Sequence, residues 1–285
     1  MAEKKPIIFI LVVLLGFNVL AWIAVSVLSQ RSLEVTFFDV GQGDAIFLET
    51  SEGHQVLIDG GPDSTIFENL GREMPFWDRT IDLIVLTHPE HDHMAGLIEV
   101  LKRYKVENIL WTGVLKDTAE FEKWQELIKK EKANIVIAES PLRVNLDELS
   151  YIDILYPLEN LEGQKIKNVN NTSVVSRLVC GEKSFLFPGD IYKSAEMDLI
   201  KFNIDSDVLK VSHHGSKTSS APEFIEAVSP KIAVIQLGRD NSYGHPHKET
   251  LETLEKYGID ILRTDFQGDI KILCNSQSLK LKSPD

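Results

Sequence analysis

Between Leu86 and His93 the chain packs three histidines and two carboxylates into eight residues, directly behind the largely apolar run Ile81–Val85. Imidazoles and carboxylates at that density, on a turn that ends a buried strand, read as a transition-metal site. Three further clusters stand where apolar runs end: Pro188-Gly189-Asp190-Ile191, Ser212-His213-His214-Gly215-Ser216 and Tyr243-Gly244-His245-Pro246-His247. Seven of the eight histidines fall in the four clusters, so the fold must bring several strand ends to one rim. Each cluster alone has a plainer explanation. Asp92 suits a helix N-cap, Asp190 suits a turn, and a histidine between Gly and Pro can steady one. Together they point to metal-dependent chemistry.

The remaining pattern supplies such a fold. Leu33–Val40, Ala45–Thr50 and Gln55–Asp59 alternate or run apolar between turns, as in a β-meander. Strands and helices then alternate: strand 83–87, helix 93–105, strand 106–111, helix 118–132 and strand 134–138. The second half repeats the plan, with strands at 173–179, 184–187, 208–211, 232–236, near 261 and at 270–273. Its helices are expected at 193–202, 222–228 and 248–257. Two β-rich halves with attached helices predict an α+β fold, a four-layer αββα sandwich, formed by one domain with no linker inside it.

Residues 7–28 form an apolar run of about 22 residues, reaching roughly 33 Å as a helix and so long enough for a hydrocarbon core of ~30 Å. Lys4 and Lys5 ahead of it place the N-terminus in the cytoplasm and the rest outside. The expected organisation is a cytoplasmic tip and single-pass transmembrane anchor over 1–30, followed by an extracytoplasmic domain over 31–285. The formal charge of −13 excludes a generic basic nucleic-acid-binding surface, while leaving room for phosphate held by metal ions or a local basic strip. Cys180 and Cys274 are too few for a disulfide scaffold and lie in apolar, strand-like contexts. They read as two buried free thiols, with one bridge as the alternative.

Six motifs occur in order: Asp39-Val40-Gly41-Gln42-Gly43-Asp44, Ile58-Asp59-Gly60-Gly61, Thr87-His88-Pro89 with Asp92-His93, Asn170-Asn171-x-Ser173, Pro188-Gly189-Asp190 and Ser212-His213-His214-Gly215-Ser216. The series resembles the metallo-β-lactamase superfamily, and specifically the extracytoplasmic hydrolase domain of ComEC-type competence proteins. Tyr243–His247 and Thr264-Asp265-x-x-Gly268 resemble that subgroup too, and the resemblance covers residues 33 to about 274. No multi-span channel is read in these residues, so a role in translocation is not expected from the resemblance.

The resemblance implies one or two divalent ions, Zn2+ or Mn2+ with Mg2+ as a further candidate. In the superfamily's His-x-His-x-Asp-His motif, Glu90 here replaces the second histidine and His91 occupies a variable position. One ion is implied at Asp92, His93, Asp190 and either His213 or His214; a weaker one is implied at His88, Glu90 and the bridging Asp190. Asp39 and Asp59 are expected to orient ligands. Asn171, Ser216 and Lys217 are expected beside the ligands or the substrate. Asp92 and His245 carry the expected catalytic roles, His245 as proton donor to the leaving group. The activity implied is phosphodiester hydrolysis, plausibly of extracytoplasmic DNA. Hydrolysis of another ester (a lactone, a thioester or a phosphorylated envelope component) is the alternative, and a metal-stabilised binding module is a third reading.

Overall fold

The computed structural model describes residues 4–28 and 32–282. Helix α1 runs Lys4–Leu28, with side chains described over 8–22, all of them exposed. Those fifteen residues reach about 22 Å, and among the described residues no helix is long and apolar enough to cross a membrane. The crossing expected for residues 7–28 is therefore not shown, and the boundary expected at 30/31 lies outside the described residues.

The first half contributes β1 (Leu33–Phe37), β2 (Ile46–Glu49), β3 (Gln55–Ile58), α2 (Ile66–Glu73), β4 (Thr80–Leu86), α3 (His91–Val100), β5 (Lys105–Trp111), α4 (Ala119–Glu131) and β6 (Asn134–Ile137). The second contributes β7 (Leu142–Asn145), β8 (Ser150–Tyr156), β9 (Val175–Cys180), β10 (Lys183–Phe187), α5 (Lys193–Leu199), β11 (Val208–Lys210), α6 (Pro222–Val228), β12 (Ile232–Ile235), α7 (Lys248–Lys256), β13 (Asp260–Arg263), α8 (Thr264–Gln267), β14 (Ile270–Cys274) and β15 (Leu279–Lys282). One sheet has the order β15-β14-β1-β2-β3-β4-β5-β6 and the other β13-β12-β11-β10-β9-β8-β7. Strand β14 thus crosses from the second half of the sequence to pair with β1, Leu33 opposite Cys274.

Alternation along the strands sorts side chains into layers. On β1 and β2, Val35, Phe37, Ile46 and Leu48 point into the space between the sheets, where they meet Phe185 and Phe187 of β10. Phe47 of β2 turns outward to a layer shared with Leu97 of α3 and Trp124 of α4. On the other sheet Leu186, Ala233 and Ile235 face Phe224 of α6 and Leu254 of α7. With both faces covered, the central strands read as unbroken apolar runs. The result is the four-layer αββα sandwich expected.

Helix α3 is seated by a contact that only glycine allows. Gly96 donates to Gly61 O at 2.9 Å and Gly60 donates to His93 O at 2.8 Å. A Cβ built on Gly96 would lie 1.8 Å from Gly60 O. Helix propensity alone makes Gly96→Ala favourable by about 1 kcal/mol. The contact reverses that sign, and we expect a loss of about 3 kcal/mol or more. A urea midpoint that rises instead would disprove the account.

Two expectations are corrected. Cys180 and Cys274 are joined in a disulfide, not held as free thiols. They end β9 and β14, strands of different sheets, and nothing local in a 94-residue separation signals that their side chains meet. Helix α3 ends at Val100 rather than 105, because Lys105 is already the first residue of β5, paired with Thr80.

Candidate metal centre

Sheet ends deliver the clustered residues to one rim. Asp59 follows β3, His88 follows β4, and Asp92 and His93 open α3; Asp190 follows β10, and His214 lies in the turn after β11. Asp59, His213 and His214 hold positive φ angles of 57°, 52° and 53° without being glycine. Backbone of this kind costs about 1–3 kcal/mol per residue and collects at functional sites. In the 212–215 turn it sends His214 inward, buried, and leaves His213 partly exposed.

Three imidazoles are each fixed through Nδ1. Thr87 Oγ1 donates to Asp59 Oδ2 at 2.6 Å, so it can only accept from His88 Nδ1–H, 3.0 Å away. His93 Nδ1–H donates to Asp59 Oδ2 at 2.8 Å, and His214 Nδ1–H to Gln236 O at 2.9 Å. Every Nε2 is thereby turned inward. Asp190 Oδ2 lies 3.3 Å from His93 Nε2 and 3.4 Å from His214 Nε2, and Asp92 Oδ2 lies 3.2 Å from His214 Nε2. His88, His93 and Asp190 form one group with ligand atoms within 4.8 Å of one another; Asp92, His93 and His214 form another.

The electrostatics call for a cation. Asp44, Asp59, Asp92 and Asp190 bring four carboxylates; against them stand one ammonium, Lys210, which is 1% exposed, and the rings of His93 and His214, whose affinity for a proton the carboxylates raise. Lys210 Nζ meets Asp44 Oδ2, Asp190 Oδ1 at 3.2 Å and Gly189 O at 3.1 Å. Burial alone would push His214 down, but Asp190 and Asp44 outweigh it and raise its pKa to about 10. His88 is pushed the other way, to about 3, by burial and by His93, so its ring is neutral. Burial would also raise Asp190, yet His214, Lys210 and His93 hold it well below the carboxylate range. The donor set fits a divalent ion on a direct observation: His88 Nε2, His93 Nε2 and Asp44 Oδ1 are buried with no hydrogen-bond partner, a costly state that coordination relieves.

Other expected site residues stand outside this cluster. Glu90 is the N-cap residue of α3 and pairs with Lys116, away from the metal-competent groups. His91 bonds Glu120 at 3.0 Å on an exposed surface. His213 Nδ1 meets Thr218 Oγ1 at 3.2 Å, and its ring stacks on Tyr192. Asn171 accepts from Tyr192 N–H at 2.7 Å and donates to Ser194 Oγ at 2.8 Å, which fixes the loop behind Asp190. Asp39 accepts from Gly41 N–H at 3.2 Å and belongs to the preceding turn. Ser216 bonds Thr218, and Lys217 is exposed. His245 stands 5.8 Å from His213 and 6.3 Å from His214, ring to ring. Burial and the imidazoles around it lower its pKa to about 4, so its ring is neutral near pH 7.

Residues 38–239 match the metallo-β-lactamase superfamily. The chain belongs to that superfamily. Among its relatives, ComE operon protein 3 of Bacillus subtilis (strain 168) is 32% identical over 84% of this chain and 32% of its own length. Competence protein ComA of Neisseria gonorrhoeae is 30% identical over 85% of this chain and 32% of its own. The chain thus spans about a third of the curated relatives it matches. Among solved structures, the metallo-β-lactamase fold protein YhfI from Bacillus subtilis superposes with a TM-score of 0.57 at 13% identity, covering 88% of this chain and all of that one.

Asp44 and Lys210 of this metallo-β-lactamase domain were not legible as site residues. Asp44 lay in a glycine-rich motif that reads as a turn. Lys210 lay in the run Val208-Leu209-Lys210-Val211, where a lone lysine inside a buried strand was the available signal. Glu196 of α5 is a further buried carboxylate, beyond the metal cluster. It accepts from Ser220 N–H at 2.6 Å and Ala221 N–H at 2.9 Å, the two residues that lead into α6. Burial raises its pKa to about 7 in spite of those bonds. A folded pKa above the unfolded value gives stability that is complete below about 4.5 and lost as pH rises through 7. The wild-type protein should therefore lose about 3 kcal/mol between pH 4.5 and 8 relative to Glu196→Gln, which does not titrate. Denaturant unfolding of both at the two pH values checks this; a constant difference would refute it.

Proposed function

We propose that the chain is a metal-dependent phosphodiesterase, a nuclease acting on DNA outside the cytoplasm and held at a membrane by α1. The convergence of His88, His93 and His214 Nε2 on Asp190 and Asp92 carries the reading. Those five residues would hold the ion. Three imidazole nitrogens suit Zn2+ better than Mg2+, which prefers oxygen, and the carboxylates leave Mn2+ between the two. When bound, such an ion supplies a nucleophile at neutral pH and offsets charge on the phosphoryl oxygens. Lys210 and Asp59 keep the ligands in register from beneath. Lys217, exposed beside the His213–His214 turn, faces substrate as a counter-charge. His245, at the rim beside His213 and His214, stands where it can exchange a proton with the leaving group.

Two observations support the location. A disulfide belongs to an oxidising compartment, and the described side chains of α1 are exposed and almost wholly apolar. The similarity to competence proteins favours DNA as substrate. The charge of −13 favours a smaller ester as the second reading. The full chain, loaded in turn with Mn2+, Zn2+ or Mg2+, would be tested on single- and double-stranded DNA and on bis(p-nitrophenyl) phosphate. An Asp92→Ala/His93→Ala variant serves as control. Metal-dependent DNA cleavage that the control lacks is the expected result. Cleavage of the small diester alone would shift the substrate to another ester, and bound metal without turnover of either would leave a binding module.

A further inference from the structure

Outside α1, the most exposed large apolar side chains among the described residues are Phe76 and Trp77, at 80% and 73%. They pack edge to face on each other, centroids 4.8 Å apart. Two other exposed rings have partners of a different kind: Arg263 lies over Phe266, and Tyr243 stacks on His245. The position of the pair in the fold gives it meaning. Its neighbour Asp78 accepts from Gln55 Nε2 at 3.0 Å, at the start of β3. Gln55 pairs with Glu49, and Glu49 with Glu34, the second residue of β1. The aromatic pair therefore lies at the sheet end where β1 begins, and the metal cluster lies at the other, past Ile58 and Leu86. Leu149, 65% exposed, belongs to the same end. It lines a cavity of about 320 Å³ together with Ser32 and Cys274, so it stands next to the residue from which the chain leads back to α1.

We propose that this end of the domain rests on a lipid surface, with Phe76, Trp77 and Leu149 seated at the headgroup level and the metal centre facing away. The inference rests on the reading of α1 as a membrane anchor. Amphipathic and aromatic rings are favoured at the membrane–water interface. An apolar helix attached to the same end delivers the patch there with no further cost in translation. Lys102 and Lys105 are paired with Glu99 and Glu107, whereas exposed Arg79, two residues from Trp77, bonds the neutral Tyr104 hydroxyl. The contact therefore sets apolar rings beside one guanidinium that can meet a lipid phosphate.

The test uses the full chain in phosphatidylcholine vesicles, with Trp22→Phe so that α1 does not report. Trp111 and Trp124 are buried at 6% and 0% exposure. Lipid brominated in its acyl chains should then quench about a third of the remaining emission, and adding Trp77→Phe should remove that quenching. Acrylamide in the aqueous phase should reach Trp77 less well than in detergent. If the chain floats with vesicles but bromolipid leaves Trp77 unquenched, the docking face is wrong while the anchor stands; a protein or α1 itself then covers the pair. If the chain does not float with vesicles, the anchor and the docking face both fail.

Discussion

Asp190→Ala is expected to bring bound metal down to background and to abolish metal-dependent turnover. Its Oδ2 is the point on which His93 and His214 converge, at 3.3 and 3.4 Å, while its Oδ1 receives Lys210. Asp92 also meets both Nε2 atoms but not the ammonium, and Asp44 meets the ammonium but the two rings only at Nδ1. Loss of a group that merely orients a ligand costs about 10–100-fold in metal affinity, and loss of the shared ligand must exceed that. Metal content by mass spectrometry and cleavage assays check the result beside His91→Ala, which should behave as wild type because His91 bonds only exposed Glu120. Equal metal loss in both variants would overturn the assignment.

The second large effect concerns stability. Lys210→Met keeps most of the side-chain volume but leaves Asp44 and Asp190, 2% exposed each, with His93 and His214 as their remaining counter-charges. Breaking a buried ion pair from one side costs about 3–5 kcal/mol. We expect a loss of that size in metal-free protein, read from denaturant midpoints. Adding Asp44→Asn should recover part of it, since the second change removes one of those carboxylate charges. Saturating metal should recover more, because the ion supplies the missing positive charge. A Lys210→Met protein as stable as wild type would mean that the carboxylates are neutral there and that the ammonium has little structural role.

Much of this architecture could be read from local pattern. The runs at 83–87, 184–187 and 208–211 are apolar because both faces of the sheets are covered, and the polar clusters mark where those strands stop. Helix α2 is not legible because Glu68, Glu73 and Arg72 around an internal Gly71 look like a loop; it forms because Ile66 and Leu70 pack into the outer core. The β7–β8 hairpin was missed although Leu142-Arg143-Val144-Asn145 alternates, since its polar side chains dominate a short stretch. At the site, His88, His93, Asp92 and Asp190 announced themselves by density. The choice between His213 and His214 turns on the left-handed backbone of one turn, and the position of Glu90 turns on Lys116, which lies 26 residues away. Residue type and spacing encode neither.

The disulfide has a mechanical consequence. The centre draws Asp44, Asp59, His88, Asp92 and His93 from one sheet and Asp190, Lys210 and His214 from the other. Its geometry is therefore a measure of how the two sheets are aligned. Cys180 and Cys274 pin those sheets together at the far end, where Ser51 also reaches across to Asp147 at 3.2 Å. A sandwich riveted at one end resists sliding along its whole length, and sliding is a rigid-body motion that would pull His214 away from His93 without unfolding anything. The rivet sets the tolerance of the opposite rim.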